Sequence, residues 1–273
     1  MPETPTPSAD LGGLEQLLAS LSEWEKVFDP QLIPATLYHY TTFEGLQGIA
    51  KENALRATFG KSLNDSSEGE FGKTIVSKYA DAVSRERHRP PLYMTLPAPE
   101  SMFVTCFCED GDLLSMWRCY SAQGGGYCLG FDGPQVAELD RSEMKAGEYA
   151  ARPVKVFYGE AGSKSLGESM ATGAHMWAEW AFENMIKHGG FAEEKEWRVL
   201  VPAPPVSQMS FHSSYSGIKA SVQIRHRSGK LPLKTVRCGP TVRPETQTVV
   251  KWMLEKYGYP EVTVSGCEIP YRL

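Results

Sequence analysis

Strand alternation through Tyr38-His39-Tyr40-Thr41 sets His39 on the face opposite Tyr38 and Tyr40. A histidine so placed is either satisfied by a hydrogen bond inside the core or available to a ribose hydroxyl, or as a general acid or base. Ser62-Leu63-Asn64-Asp65-Ser66-Ser67-Glu68 is rich in side chains that bond their own backbone, so it reads as a turn and helix N-cap. Its competing role is a polar loop over a ligand, with Asn64 as the contact. In Leu114-Ser115-Met116-Trp117-Arg118-Cys119-Tyr120, Trp117 and Tyr120 are three apart and share a helical face, while Arg118 points about 100° away from Trp117. The Gly124-Gly125-Gly126 run that follows allows close backbone approach to a ligand or another strand, or positive φ in a turn. It is no phosphate loop, because no lysine plus Ser/Thr follows it. In Glu193-Glu194-Lys195-Glu196-Trp197-Arg198, an inward Trp197 leaves Glu194, Glu196 and Arg198 in a row on the other face, about 6.5–7 Å between alternate residues. That row is either a solvated, ion-paired face or a cleft-facing carboxylate beside an arginine. The second arrangement stabilises a developing cation, as in displacement at a sugar anomeric carbon.

These side chains need elements to hold them. Residues 8–28 place Leu14, Leu17, Leu18, Leu21, Trp24 and Phe28 at helical spacing, so an amphipathic helix leads in. Residues 37–41 form a short strand. Thr41 and Glu44 make a capping-box pattern before a helix with Phe43, Leu46, Ile49 and Ala50 inward. A loop at 60–68 precedes a polar helix over 68–88 that ends in Arg85, Arg87, His88 and Arg89. A buried strand at 102–108, a helix at 113–120 with Leu113, Met116, Trp117 and Tyr120 on one face, and a strand from Tyr127 to Phe131 come next. Then follow a helix near 134–146, a strand at 154–158, and a long helix through Trp177, Trp180, Ala181 and Met185 that Gly189-Gly190 stops. Glu194 to Val201 alternates as a strand, with Lys195, Trp197, Val199 and Val201 on one face. The tail supplies a strand from Leu233 to Cys238, a helix with Val250, Met253, Leu254 and Tyr257 inward, and a last strand near 262–267. Strands and helices mix without a strict βαβ rhythm, which predicts an α+β fold. The expected organisation is a disordered tail at 1–7, a helical lead-in at 8–35 and a single mixed-sheet domain over 36–273.

Composition narrows the function classes. With 273 residues, 41% of them apolar, a single core stands without a disulfide or metal staple. Lys plus Arg total 28 against 33 Asp plus Glu, a net charge of −5. Bulk charge therefore disfavours nucleic acid and anionic membrane, and leaves only local basic clusters, 85–89 and Arg225, His226, Arg227 and Lys230, to serve a polyanion. The N-terminus lacks a signal-peptide pattern, and no run approaches the ~18 apolar residues of a membrane span. A soluble, cytoplasmic chain is expected. The six cysteines form no C-x-x-C pair and are expected as small core residues, with no metal site. A thiol or serine hydrolase could draw on Cys106, Cys108 or Cys119 with His39, but no G-x-S-x-G elbow is present.

The four segments in this order, with the ending Ile269-Pro270-Tyr271-Arg272, resemble a large family of bacterial proteins classed only as a domain of unknown function. Its pattern runs YHYT, NDPxE, MW-x-x-Y with G-x-C-x-x-F, E-K-E-x-R and IPYR. The match spans roughly residues 36–272 and departs at Ser66, in place of proline, and at Arg118-Cys119, in place of Ser-His. More distantly, a histidine-bearing first strand, a middle aromatic and a late strand glutamate are similar to the ADP-ribosyltransferase superfamily, notably its DNA- and tRNA-modifying branches. This resemblance implies NAD as a substrate, with His39 holding the adenosine ribose and Tyr120 stacking on nicotinamide. It implies further that Glu196 orients the nicotinamide ribose and stabilises its oxocarbenium ion. Tyr40, Thr41, Asn64, Trp117 and Arg198 complete the implied NAD-binding set. The implied acceptor is a macromolecule, nucleic acid or protein, in a toxin or phage-defence setting. The alternative is a nucleotide- or nucleic-acid-binding module without catalysis that uses the two basic clusters as a groove.

Overall fold

The computed structural model describes residues 30–63, 71–72, 74–75, 78, 102–141, 153–160, 163, 184–214 and 217–271. The expected tail, the 8–28 helix, Asn64, most of the 68–88 helix with its basic run, and Trp177, Trp180 and Ala181 lie outside them. In chain order the elements are β1 (Thr36–Thr41), α1 (Phe43–Glu52), β2 (Leu55–Phe59), β3 (Met102–Cys108), α2 (Leu114–Tyr120), β4 (Tyr127–Asp132) and α3 (Gly133–Val136). After these come β5 (Leu139–Arg141), β6 (Pro153–Lys155), β7 (Phe157–Tyr158), β8 (Ile186–Lys187), β9 (Glu196–Pro202), β10 (Ser210–Ser214), β11 (Gly217–His226), β12 (Leu233–Cys238), α4 (Thr246–Lys256) and β13 (Thr263–Gly266). Among the described residues, eleven strands join in one mixed sheet, and β7 pairs with β8 apart from it. The fold is α+β, and among the described residues no helix is long and apolar enough to cross a membrane.

The main core lies against one face of this sheet. Leu37 of β1, Leu55 and Ala57 of β2, Phe103 and Phe107 of β3, Leu129 and Phe131 of β4, and Trp197, Val199 and Val201 of β9 alternate inward as period-2 apolar positions. Leu46, Ile49 and Ala50 of α1 and Val250 and Leu254 of α4 close the core at helical spacing. A second cluster sits on the other side of β1, where Tyr40, Cys108, Met116, Trp117 and Cys128 are buried together.

Several local expectations are corrected. The cap of α1 is Thr42, whose side chain accepts from the Gly45 N–H, because Thr41 is still held in the β1 ladder opposite Tyr127. The helix expected over 134–146 lasts one turn. Val136 and Leu139 are three apart and both buried, but Leu139 enters the sheet through β5, opposite His226 of β11. Met185 lies in a turn before β8, and Gly189-Gly190 opens the 3₁₀ turn Gly189–Glu194 rather than ending a helix. Lys195 is exposed with φ 43°, so the strand begins at Glu196 and Lys195 does not share the inward face of Trp197. The six cysteines are free thiols, and Cys119 is exposed rather than part of the core.

Candidate functional site

β3 has two edges. β9 pairs with it from Met102 through Cys108, so β1 and β2 share the other edge. β2 meets β3 at Phe103 and Val104, and β1 meets it only at Cys108. Both run antiparallel to β3 and are joined through α1, so the sheet splits between them along Thr105, Cys106 and Phe107. Side chains then satisfy what a ladder would otherwise pair. His39 Nδ1 donates to the Cys106 carbonyl at 2.8 Å, and the Thr105 hydroxyl donates to the Arg56 carbonyl at 3.2 Å.

The split holds a cavity of about 370 Å³. His39, Tyr40, Tyr120, Glu196 and Arg198 all line it, brought from β1, α2 and β9. His39 is half-buried, 5.9 Å from the Phe107 ring between centroids. Burial lowers its pKa, against a smaller upward pull from its bond to Cys106. With Nδ1 protonated and committed to that carbonyl, Nε2 is the atom left to accept from a ligand. The Tyr40 hydroxyl donates to the Asp110 carbonyl and accepts from the Leu113 N–H, both at 3.0 Å. It therefore shapes the wall rather than presenting a free group.

The floor is an ionic chain. Arg198 grips Glu196 bidentately, Nε to Oε1 at 2.8 Å and Nη2 to Oε2 at 3.0 Å, and gives Nη1 to the Asn184 carbonyl at 2.6 Å. Lys187 Nζ lies 3.1 Å from Glu196 Oε2 and 2.6 Å from Glu194 Oε2. The Tyr120 hydroxyl donates to Glu194 Oε1 at 2.8 Å. Burial works to raise the Glu196 pKa, but the charge and hydrogen bonds of Arg198, then Lys187 and the Cys106 thiol, outweigh it and hold the carboxyl at about 2. Burial would likewise lower Lys187, and the two glutamates overturn that and keep it charged. Burial and the neighbouring Glu194 charge push the Tyr120 phenol up, so it stays a donor. The row of Glu196 and Arg198 is thus a buried, cavity-facing device, and the solvated-face alternative is set aside.

Two members of the implied set lie elsewhere. Thr41 is not part of the cavity wall. Trp117 is fully buried in the second cluster, stacked edge-on to Tyr40 at 4.8 Å, and its indole N–H donates to Asp112 at 2.7 Å. The glycine run is explained by close backbone packing. A Cβ at Gly126 would stand 2.3 Å from the Thr41 carbonyl, and Gly124, at φ 92°, is wedged against Pro240 and Tyr271. Cys119, at the position where the resembled family has histidine, lines the cavity. In the second basic cluster, His226 is buried and Arg225 is bonded to the Glu52 and Asn53 carbonyls and to Gln223, so these two do not form an open groove.

Lys187, Arg56 and Lys219 complete the wall and were not among the expected site residues; Glu194 was placed in the row but given no role. Glu194 could have been read from its spacing, two residues before Glu196. The three cations carry no local signal, because β8, β2 and β11 are short or unpatterned in sequence and only the tertiary fold brings them to one cavity.

A family profile described as "Protein of unknown function (DUF2971)" matches residues 116–199, from α2 through most of β9. No curated protein and no solved structure matches the chain. The matched span carries Tyr120, Lys187, Glu194, Glu196 and Arg198, so the likeness to that family covers the cavity floor but neither β1 nor the C-terminal strands.

Proposed function

We propose that the chain is an ADP-ribosyltransferase-type enzyme that takes NAD into this cavity and transfers ADP-ribose to a macromolecule, nucleic acid or protein, in a toxin or phage-defence setting. The observation that carries the reading is the convergence of His39, Tyr120 and Glu196, from three separate elements, on one cavity. In the transfer, the bond between the ribose anomeric carbon and nicotinamide breaks and nicotinamide leaves with the electron pair. The acceptor nucleophile then bonds to that carbon and loses its proton. Positive charge develops on the ribose, and the carboxylates of Glu194 and Glu196 supply fixed negative charge beside it. Glu196 already accepts twice from Arg198, once from Lys187 and once from the Cys106 thiol, so Glu194, with one donor on each oxygen, is the carboxylate left to meet a ribose hydroxyl. His39 Nε2 accepts from a hydroxyl of the other ribose.

The test is purified full-length protein with labelled NAD and cell extract. Release of nicotinamide and label transfer are expected, falling by about 100-fold or more in Glu194→Gln and Glu196→Gln. Absence of cleavage and transfer, or variants that match wild type, overturns the reading. The saturation of Glu196 favours one second reading, a nucleotide-binding module without catalysis. Tight binding of intact NAD with no turnover is its signature.

A further inference from the structure

The cavity is electrically lopsided. Its wall carries four cations, Arg56, Lys187, Arg198 and Lys219, against two carboxylates, Glu194 and Glu196, in a chain whose net charge is −5. Lys187 and Arg198 are the two already matched, each within 3.1 Å of Glu196 or Glu194. The unmatched charge lies on the opposite side, where β2 meets β11. There Thr58 pairs with Ser221 and Arg56 with Gln223, so alternation brings Arg56, Thr58, Lys219, Ser221 and Gln223 to one polar face. Arg56 is partly offset by Glu52 at 3.0 Å, an exposed pair worth little in water. Glu52 is itself shared, since Gln223 donates to its other oxygen at 2.8 Å. The Lys219 side chain makes no hydrogen bond or ion pair among the described residues.

We propose that Arg56 and Lys219 form a phosphate subsite on the β2–β11 side of the cavity, so that the ligand is a phosphate ester whose anion sits there while its uncharged part meets the Tyr120–Glu194 floor. This rests on the reading of the cavity as a nucleotide site and adds the polarity with which the ligand enters. An arginine offers paired N–H donors in a plane and a lysine a point charge, a combination that suits adjacent phosphates. Thr58, which also lines the cavity, adds a hydroxyl donor on the same face. A neutral nucleoside would leave both cations unanswered, so the subsite discriminates by phosphate rather than by base.

Binding of inorganic pyrophosphate to the full chain, followed by calorimetry, tests this without any nucleoside. Wild type is expected to bind, Arg56→Gln and Lys219→Gln each to bind about tenfold more weakly or worse, and Arg56→Lys to recover part of the loss. Lys251→Gln, on the exposed side of α4, is expected to bind as wild type does. Unchanged melting temperatures show that the wall variants fold, since both side chains are at least partly exposed. No binding by wild type, or an equal loss from Lys251→Gln, overturns the subsite. Pyrophosphate binding that depends on Arg56 and Lys219 without any NAD cleavage sinks the transferase and keeps the subsite. NAD cleavage with an unchanged KM in both variants does the reverse.

Discussion

Trp117 and Tyr120 leave one short helix three residues apart, and each donates its single polar hydrogen to a carboxylate, yet the middle and the C-terminal end of α2 do different work. Trp117 reaches Asp112, which also takes the Cys267 thiol at 2.8 Å and the Glu268 N–H at 3.0 Å, with Arg237 at 3.4 Å. All of these donors are fixed parts of the fold, and together they pin the segment after β13 against α2. Tyr120 reaches Glu194, which it shares with Lys187, and beyond that pair lies open volume. Aromatic donor, carboxylate acceptor and nearby cation are alike in both places. What separates a strut from a candidate site is the unfilled space beside it, and that is a property of the split sheet rather than of the residues themselves.

The largest effect is expected at the strut. Trp117→Ala removes a fully buried indole from between Tyr40 and Asp112, and should cost about 3–5 kcal/mol in denaturant unfolding. Asp112→Asn should cost about 1–3 kcal/mol, because the Cys267, Glu268 and Trp117 donors lose a charged acceptor. A Trp117→Ala protein as stable as wild type would break the comparison, since the second cluster would then not depend on its central ring.

Acid should separate the cavity floor next. The Glu196 pKa is about 2 in the fold against an ordinary 4.5, a depressed value, so the ionised carboxylate stabilises the fold above pH 4.5. That contribution, about 3 kcal/mol, is lost as the pH falls from 4.5 through about 2. Glu196→Gln should therefore be less stable than wild type at pH 7, where Arg198 and Lys187 are left with a neutral partner, and the gap should close toward pH 2. Stability curves measured for both proteins across that window check it. A gap that stays constant with pH would mean that the charge on Glu196 does nothing for the fold.

Elements whose own pattern is strong were legible in the sequence: β3 over 102–108, α2, β4, β12 and the alternation of β9 all follow from local apolar spacing. β2, β8, β10 and β11 were not, because their burial is decided by partners far away in the chain; β2, for instance, is covered by β11 some 165 residues later. The same distinction runs through the site. His39, Tyr120 and Glu196 stand out by residue type in short motifs, and the cavity gathers them. Trp117 carries the same kind of signal and turns inward, because helical spacing fixes which residues share a face but not which neighbour that face will meet. Arg56, Lys187 and Lys219 are ordinary surface-type residues in sequence, and only the pairing of β2 with β11, together with the placement of β8 beside β7, turns them into a wall.

Tyr120→Phe is the smallest change and the sharpest test of the contrast. It keeps the ring and deletes one hydroxyl, so its stability cost should be about 0.5–1.5 kcal/mol, the worth of one hydrogen bond. Glu194 would then be held by Lys187 alone, free to turn toward it and away from the cavity. The orientation of the one carboxylate with room for a ligand is what the phenol secures, so NAD cleavage, or NAD binding if there is no turnover, should fall about tenfold or more while the melting curve barely moves. At Asp112 the order is reversed, because removing its charge loosens the fold and leaves the cavity wall in place. If Tyr120→Phe lowers stability as much as Asp112→Asn and leaves NAD binding unaltered, Tyr120 is a second strut, and the functional end of α2 has to be sought at Cys119 instead.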